Sequence, residues 1–127
     1  MNHGRRGKAL IFNHEKYKQE RKLAPRHGTN LDRDKLETTL KSMKFEVNVY
    51  NDLNWIEIEE ILEDVSEEDH ADVDCLLIVA LTHGDLGILE AFDGPYKIDK
   101  LWLNFMGDKC PSLAGKPKIF LIQVKID

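Results

Sequence analysis

A histidine and a glycine placed directly after a long apolar run are the residues of this chain best positioned to do chemistry. Asp74-Cys75-Leu76-Leu77-Ile78-Val79-Ala80-Leu81 leads into Thr82-His83-Gly84, and imidazole is the side chain whose ordinary pKa suits it to moving protons near neutrality. A second apolar run, Lys118-Ile119-Phe120-Leu121-Ile122, ends at Gln123. If both runs are parallel strands of one α/β sheet, His83 and Gln123 lie together at its carboxyl edge, where open sheets of this kind bind their ligands. His83 is then a candidate general base. Histidine is also common in surface loops, and on residue type alone the two readings stand level.

The candidates for a nucleophile are two cysteines. Cys75 opens the strand that His83 follows, and eight residues at ~3.3 Å each put the two roughly 26 Å apart. Cys110 precedes the last strand and so belongs to the opposite, amino-terminal edge. Both read as structural, and sparse cysteines of this kind read as reduced. His3, His27 and His70 have no ligand spacing with either cysteine, so no metal is expected. His14, at the end of the first strand, reads as structural or surface. Asn13-His14-Glu15 runs into a charged stretch rather than a glycine-rich phosphate loop, which argues against a nucleotide-binding module; no cofactor is expected. A net charge of -5 with both signs mixed along the chain argues against a nucleic-acid partner. The absence of an apolar run near ~18 residues, and of a signal-peptide core at the start, predicts no membrane partner and a cytoplasmic location.

The elements that must position these residues follow from hydrophobic spacing. Ala9-Leu10-Ile11-Phe12 reads as a buried strand, and Lys16 to His27, with Pro25, as an exposed loop closed by Gly28. Leu31, Leu36, Leu40 and Met43 mark a helix over Thr29 to Lys44, capped by Asn30 or Thr29. Phe45 to Tyr50 alternates as a strand with one covered face. Trp55, Ile58, Ile61, Leu62 and Val65 mark a second helix, followed by the acidic loop Ser66 to Asp69. Asp74 to Leu81, apolar on both faces, is the central strand, and it stops at Thr82-His83-Gly84. Ile88 to Phe92 suggests a hairpin piece, Ile98 to Met106 a third helix, and Lys118 to Gln123 the last strand. The order predicts one α/β domain over residues 1–127, a parallel sheet of about four core strands flanked by helices.

Several blocks, in order, resemble the caspase family closely. They are Arg6 to Glu15, Arg26-His27-Gly28-Thr29, Tyr50-Asn51-Asp52-Leu53, Asp74 to Leu77 with Thr82-His83-Gly84, Tyr96-Lys97-Ile98-Asp99, and Lys109 to Lys118. Each block alone is weak, but their ordered combination is highly specific, covers nearly the whole chain, and is most similar to the executioner branch. The resemblance implies the large-subunit part of a cysteine endopeptidase that cuts after aspartate during apoptosis. It assigns His83 as the catalytic histidine and the Gly84 N–H to the oxyanion hole. It assigns Arg26 to the floor of the aspartate pocket, where a guanidinium fork can hold a carboxylate bidentately, and Gln123 to the lining of that pocket.

The pattern breaks at the end. Caspases continue Gln-Ala-Cys-Arg/Gln-Gly, whereas this chain reads Gln123-Val124-Lys125-Ile126-Asp127. Lys125 takes the nucleophile's position, and an amine with an ordinary pKa of about 10.4 is no thiolate. One account of the break is translation through a splice donor, since Gln-Val-Lys can be written CAG-GTA-AAA; a downstream exon resuming with Ala-Cys-Arg-Gly is then expected in the gene. The resemblance implies as partners a caspase small subunit and aspartate-containing protein substrates, and the chain is expected to be inactive alone and prone to aggregate through its uncovered last strand. The alternative is a non-catalytic decoy that binds a true caspase or a caspase inhibitor protein.

Overall fold

The computed structural model describes residues 4–125; His3 and Ile126-Asp127 lie outside the described residues. Four parallel strands form the main sheet: β1 (Lys8–Asn13), β2 (Glu46–Asn51), β3 (Leu76–Asp85) and β6 (Lys118–Lys125). In space they run β2-β1-β3-β6. The far end of β3 carries a small antiparallel extension, with β4 (Ile88–Glu90) on β3 and β5 (Pro95–Lys97) on β4. Two α-helices, α1 (Thr29–Ser42) and α2 (Trp55–Glu67), cross between strands.

β1 and β3 are apolar on both faces because both faces are covered. On one, Leu10, Phe12, Leu76, Ile78 and Ala80 pack with Ile58, Leu62 and Val65 of α2 and with Leu101, Phe105 and Leu113. On the other, Ala9, Ile11, Leu77, Val79 and Leu81 pack with Leu36 and Leu40 of α1. The second face is covered unevenly. α1 lies over the β1 and β2 side, while Ile119 and Leu121 of β6 stay 45% and 49% exposed. At the amino-terminal edge, Gly7 (φ 132) lets β1 start close against the next strand, and a Cβ there would overlap the Cys75 carbonyl. Both cysteines are buried and free.

Three boundaries differ from those the spacing predicts. The residue capping α1 is Gly28, at φ 88, and not Thr29 or Asn30, because both of those side chains are committed elsewhere. β3 does not stop before Thr82-His83-Gly84 but carries them: β6 stays paired as far as His83 and β4 takes over at Gly84 and Asp85. Backbone partners, not apolar side chains, extend it. Ile98 to Met106 is not an α-helix. The stretch to Leu113 is a series of short 3-10 turns, Ile98–Leu101, Leu103–Phe105, Gly107–Lys109 and Pro111–Leu113. Gly107 at φ 60 and Pro111, which has no N–H to give, leave too short a run for a stable helix. The turns still bury Leu101, Phe105, Cys110 and Leu113, and Trp102 meets Phe120 edge-on at 5.6 Å.

Candidate active site

The site is built where β1 ends. Asn13 pairs with Leu81, the His14 N–H makes the last bond to β3 at the Leu81 carbonyl (2.9 Å), and the chain turns away. Asp52, just past β2 and in the left-handed region (φ 54), accepts the N–H groups of Glu15 (2.8 Å) and Lys16 (3.0 Å). The loop is then tied to β4 and its turn by Lys18 N–H to the Phe92 carbonyl (2.9 Å) and by the Arg21–Glu90 ion pair (2.9 Å). It returns with the Arg26 N–H on the Glu15 carbonyl at 2.8 Å.

Arg26 is 8% exposed. Its Nη1 donates to the His14 carbonyl (3.0 Å) and to Thr29 Oγ1 (2.7 Å). Thr29 in turn donates to Asn13 Oδ1 (2.7 Å), and Asn13 Nδ2 donates to Asn30 (2.9 Å) and Asn51 (3.1 Å). The guanidinium is therefore fixed by a relay of neutral groups. Among the described residues no carboxylate comes within ion-pair distance of it, and burial pulls its pKa down against the weaker opposing pull of Tyr17 and Asp32. A buried cation with neutral partners is stabilised by an arriving anion. The cavity beside it, about 310 Å³, is lined by Arg26, His27, Thr29, Asp32, Gln123 and Val124. The structure thus brings Arg26 and the exposed Gln123 together at this cavity, with Gln123 opposite Leu81 in the β3–β6 ladder.

His83 is 1% exposed and sits directly opposite Lys125 in that ladder, a Cα separation of about 4.8 Å for neighbouring strands. Its Nε2 lies 2.7 Å from the Ala24 carbonyl. A carbonyl only accepts, so Nε2 carries the hydrogen and the lone pair of the neutral ring falls on Nδ1. Ala24 and Arg26 are two residues apart, so one short loop both orients the imidazole and floors the cavity. Gly84 has a steric reason of its own: a Cβ there would come 2.6 Å from the Ile88 carbonyl and 2.9 Å from Val124 Cγ1. Cys75 lies before β3 begins, far from His83, and burial raises its thiol pKa. His14 is buried with neither ring nitrogen bonded, and it faces Tyr17 at 6.1 Å.

In the sequence Thr29 has only a capping role and a place in a family block, and neither Tyr17 nor Ala24 is singled out. Ala24 acts through its carbonyl, which leaves no side-chain signal. Thr29 and Tyr17 are recognisable only once the loop is seen folded against β3.

The ordered sequence blocks resemble the caspase family, and comparison with known proteins agrees on the family: the caspase domain family matches residues 6–124, and the chain belongs to the caspase family. It is 51% identical over 123 residues to Caspase-1 of Spodoptera frugiperda, covering 97% of this chain and 41% of that protein. It is 46% identical to caspase drICE of Drosophila melanogaster, covering 97% and 36%. The crystal structure of Caspase-1 from Spodoptera frugiperda superposes with a TM-score of 0.94 at 50% identity, covering 97% of this chain and 49% of that one. The chain thus spans about two-fifths of the length of these curated relatives.

Proposed function

We propose that this chain supplies the large-subunit half of an aspartate-directed cysteine protease site. His83 serves as its general base, the Gly84 N–H as a donor to the oxyanion, and Arg26 with Gln123 as the pocket for the substrate aspartate. The observation that carries the reading is Arg26: a buried guanidinium, held by a carbonyl and a hydroxyl and opening on a cavity, suits a bidentate carboxylate that completes its charge balance. Ala24 holds the imidazole in the tautomer that leaves Nδ1 able to take a proton from a thiol.

In this reading the residue opposite His83 is where the nucleophile belongs, and it is Lys125. The chain therefore hydrolyses nothing by itself. Its working partner is a caspase small subunit, which would cover β6, where Ile119, Leu121 and Val124 are exposed. Lys125 also supports the second reading, a non-catalytic regulator that occupies the same partner, or a caspase inhibitor protein, without cutting.

The test uses a fluorogenic peptide ending in aspartate and a separately produced executioner-caspase small subunit. The unaltered chain gives no turnover in the mixture, whereas Lys125→Cys gains turnover that His83→Ala or Arg26→Ala removes. Turnover by the unaltered chain would overturn the inactive reading. An assembled but silent Lys125→Cys complex would overturn the site assignment. Inhibition of an intact caspase by the unaltered chain would select the regulator.

A further inference from the structure

β1 and β3 are in register with Asn13 opposite Leu81, so the next pair along the parallel ladder is His14 and Thr82. In a parallel ladder a residue donates its N–H to the residue before its partner and accepts from the residue after it. His14 makes the first of these bonds, to the Leu81 carbonyl at 2.9 Å. The second would run from the His83 N–H to the His14 carbonyl. That carbonyl is instead taken by Arg26 Nη1 at 3.0 Å. The His83 N–H goes to the hydroxyl oxygen of Tyr17, at 2.9 Å.

The phenol is itself oriented. Thr82 Oγ1 donates to the Glu90 carbonyl (2.7 Å), so the 2.8 Å contact between the two hydroxyls is donated by Tyr17. Its ring lies 5.1 Å from that of His83 and 6.1 Å from that of His14, filling the space between the end of β1 and the end of β3. Tyr17 also begins the loop that delivers the Ala24 carbonyl to His83 Nε2 and Arg26 to the cavity. The pocket arginine occupies the carbonyl that the ladder would otherwise offer to the backbone of the base, and the tyrosine hydroxyl accepts that N–H in its place.

We propose that Tyr17 is a positioning residue for His83: its hydroxyl replaces the β1 carbonyl surrendered to Arg26, and its ring fixes the loop whose Ala24 carbonyl sets the imidazole tautomer. The inference rests on the reading of His83 as the base, but it is tested without turnover, so it can fail or hold independently of the Lys125→Cys experiment.

The experiment is NMR on the ¹⁵N-labelled 127-residue chain and its Tyr17→Phe variant, which keeps the ring and loses the hydroxyl. Amide exchange is read at His83 and, as internal reference, at Val79 in the middle of the same strand, and ¹⁵N shifts report the His83 tautomer. Losing the hydroxyl leaves the His83 N–H without that acceptor. Its exchange is expected to accelerate about tenfold more than that of Val79, the change given by losing one hydrogen bond of ~1.4 kcal/mol. The Nε2–H signature of the ring weakens at the same time. Thr82→Val, which removes the acceptor for the Tyr17 O–H, gives the same selective pattern at smaller amplitude and checks the relay should Tyr17→Phe fold poorly. Equal acceleration at His83 and Val79, or an imidazole spectrum unchanged in both variants, would overturn the proposal.

Discussion

His14 offers a direct measure of how the interior beneath the site is built. Its ring is 1% exposed, neither nitrogen has a hydrogen bond, and its pKa is lowered to about 4. Burial is the largest cause, Asp52 pulls the other way, and the Arg26 charge adds to the depression. In the unfolded chain the ring titrates near 6.5. The folded state therefore binds fewer protons than the unfolded state between these two values, and stability falls as pH falls. The contribution is fully present above about 6.5 and lost as pH drops through about 4. The window, about 2.5 pH units at ~1.4 kcal/mol each, is worth roughly 3 kcal/mol. Two-thirds of it, about 2 kcal/mol, should vanish between pH 7 and pH 5. The assay is urea unfolding at low protein concentration at those two pH values, for the unaltered chain and for His14→Phe, which has a similar shape and no titrating nitrogen. The variant should lose about 2 kcal/mol less on acidification, and at pH 7 it should lie within about 1 kcal/mol of the original, because no hydrogen bond is removed. All other titrating groups are common to both proteins and cancel. Equal losses in the two chains would show that His14 is hydrated or bonded in solution, and the reasoning from its burial would fall.

Two further outcomes follow from packing. Gly7→Ala places a methyl group into the Cys75 carbonyl at a backbone conformation that only glycine adopts easily, and chemical denaturation should show a loss of at least ~2–3 kcal/mol, while Gly28→Ala, which meets nothing nearby, should cost less. Replacing Ile119 and Leu121 together by lysine should leave stability within about 1 kcal/mol but abolish self-association in light scattering, because both side chains are already half exposed on the edge strand; an unaltered chain that stays monomeric at high micromolar concentration would contradict this.

Much of the architecture was legible because the two central strands are apolar on both faces and the helices carry regular apolar stripes. Periodicity sees buried side chains, so it found β1, β2, β3, β6, α1 and α2 within a few residues. It lost track where hydrogen bonds to the backbone decide. The end of β3 is polar yet remains strand, because β6 and β4 supply partners, and the third expected helix, Ile98 to Met106, is instead two short 3-10 turns. The pairing of Arg26 with Gln123 in one cavity was expected from ordered sequence blocks, not from spacing. The relay Arg26-Thr29-Asn13, the Ala24 carbonyl and the Tyr17 hydroxyl were beyond reach, since each depends on where a loop without periodicity folds back.

The central position of β3 also sets the order in which the protein can assemble. Ile11 meets Val79 across 68 residues, and Val79 meets Leu121 across another 42, so over Leu77 to Leu81 neither edge of β3 has a local partner. Pairings this distant in sequence make folding slow, because long loops must close before any contact rewards them. During synthesis, at ~5–20 residues per second, β1, β2 and β3 are complete some seconds before β6 is made. Through that interval the strand carrying His83 presents one bare edge to the cell, and any extended segment of suitable pattern, from this chain or another, competes for the place that β6 later fills.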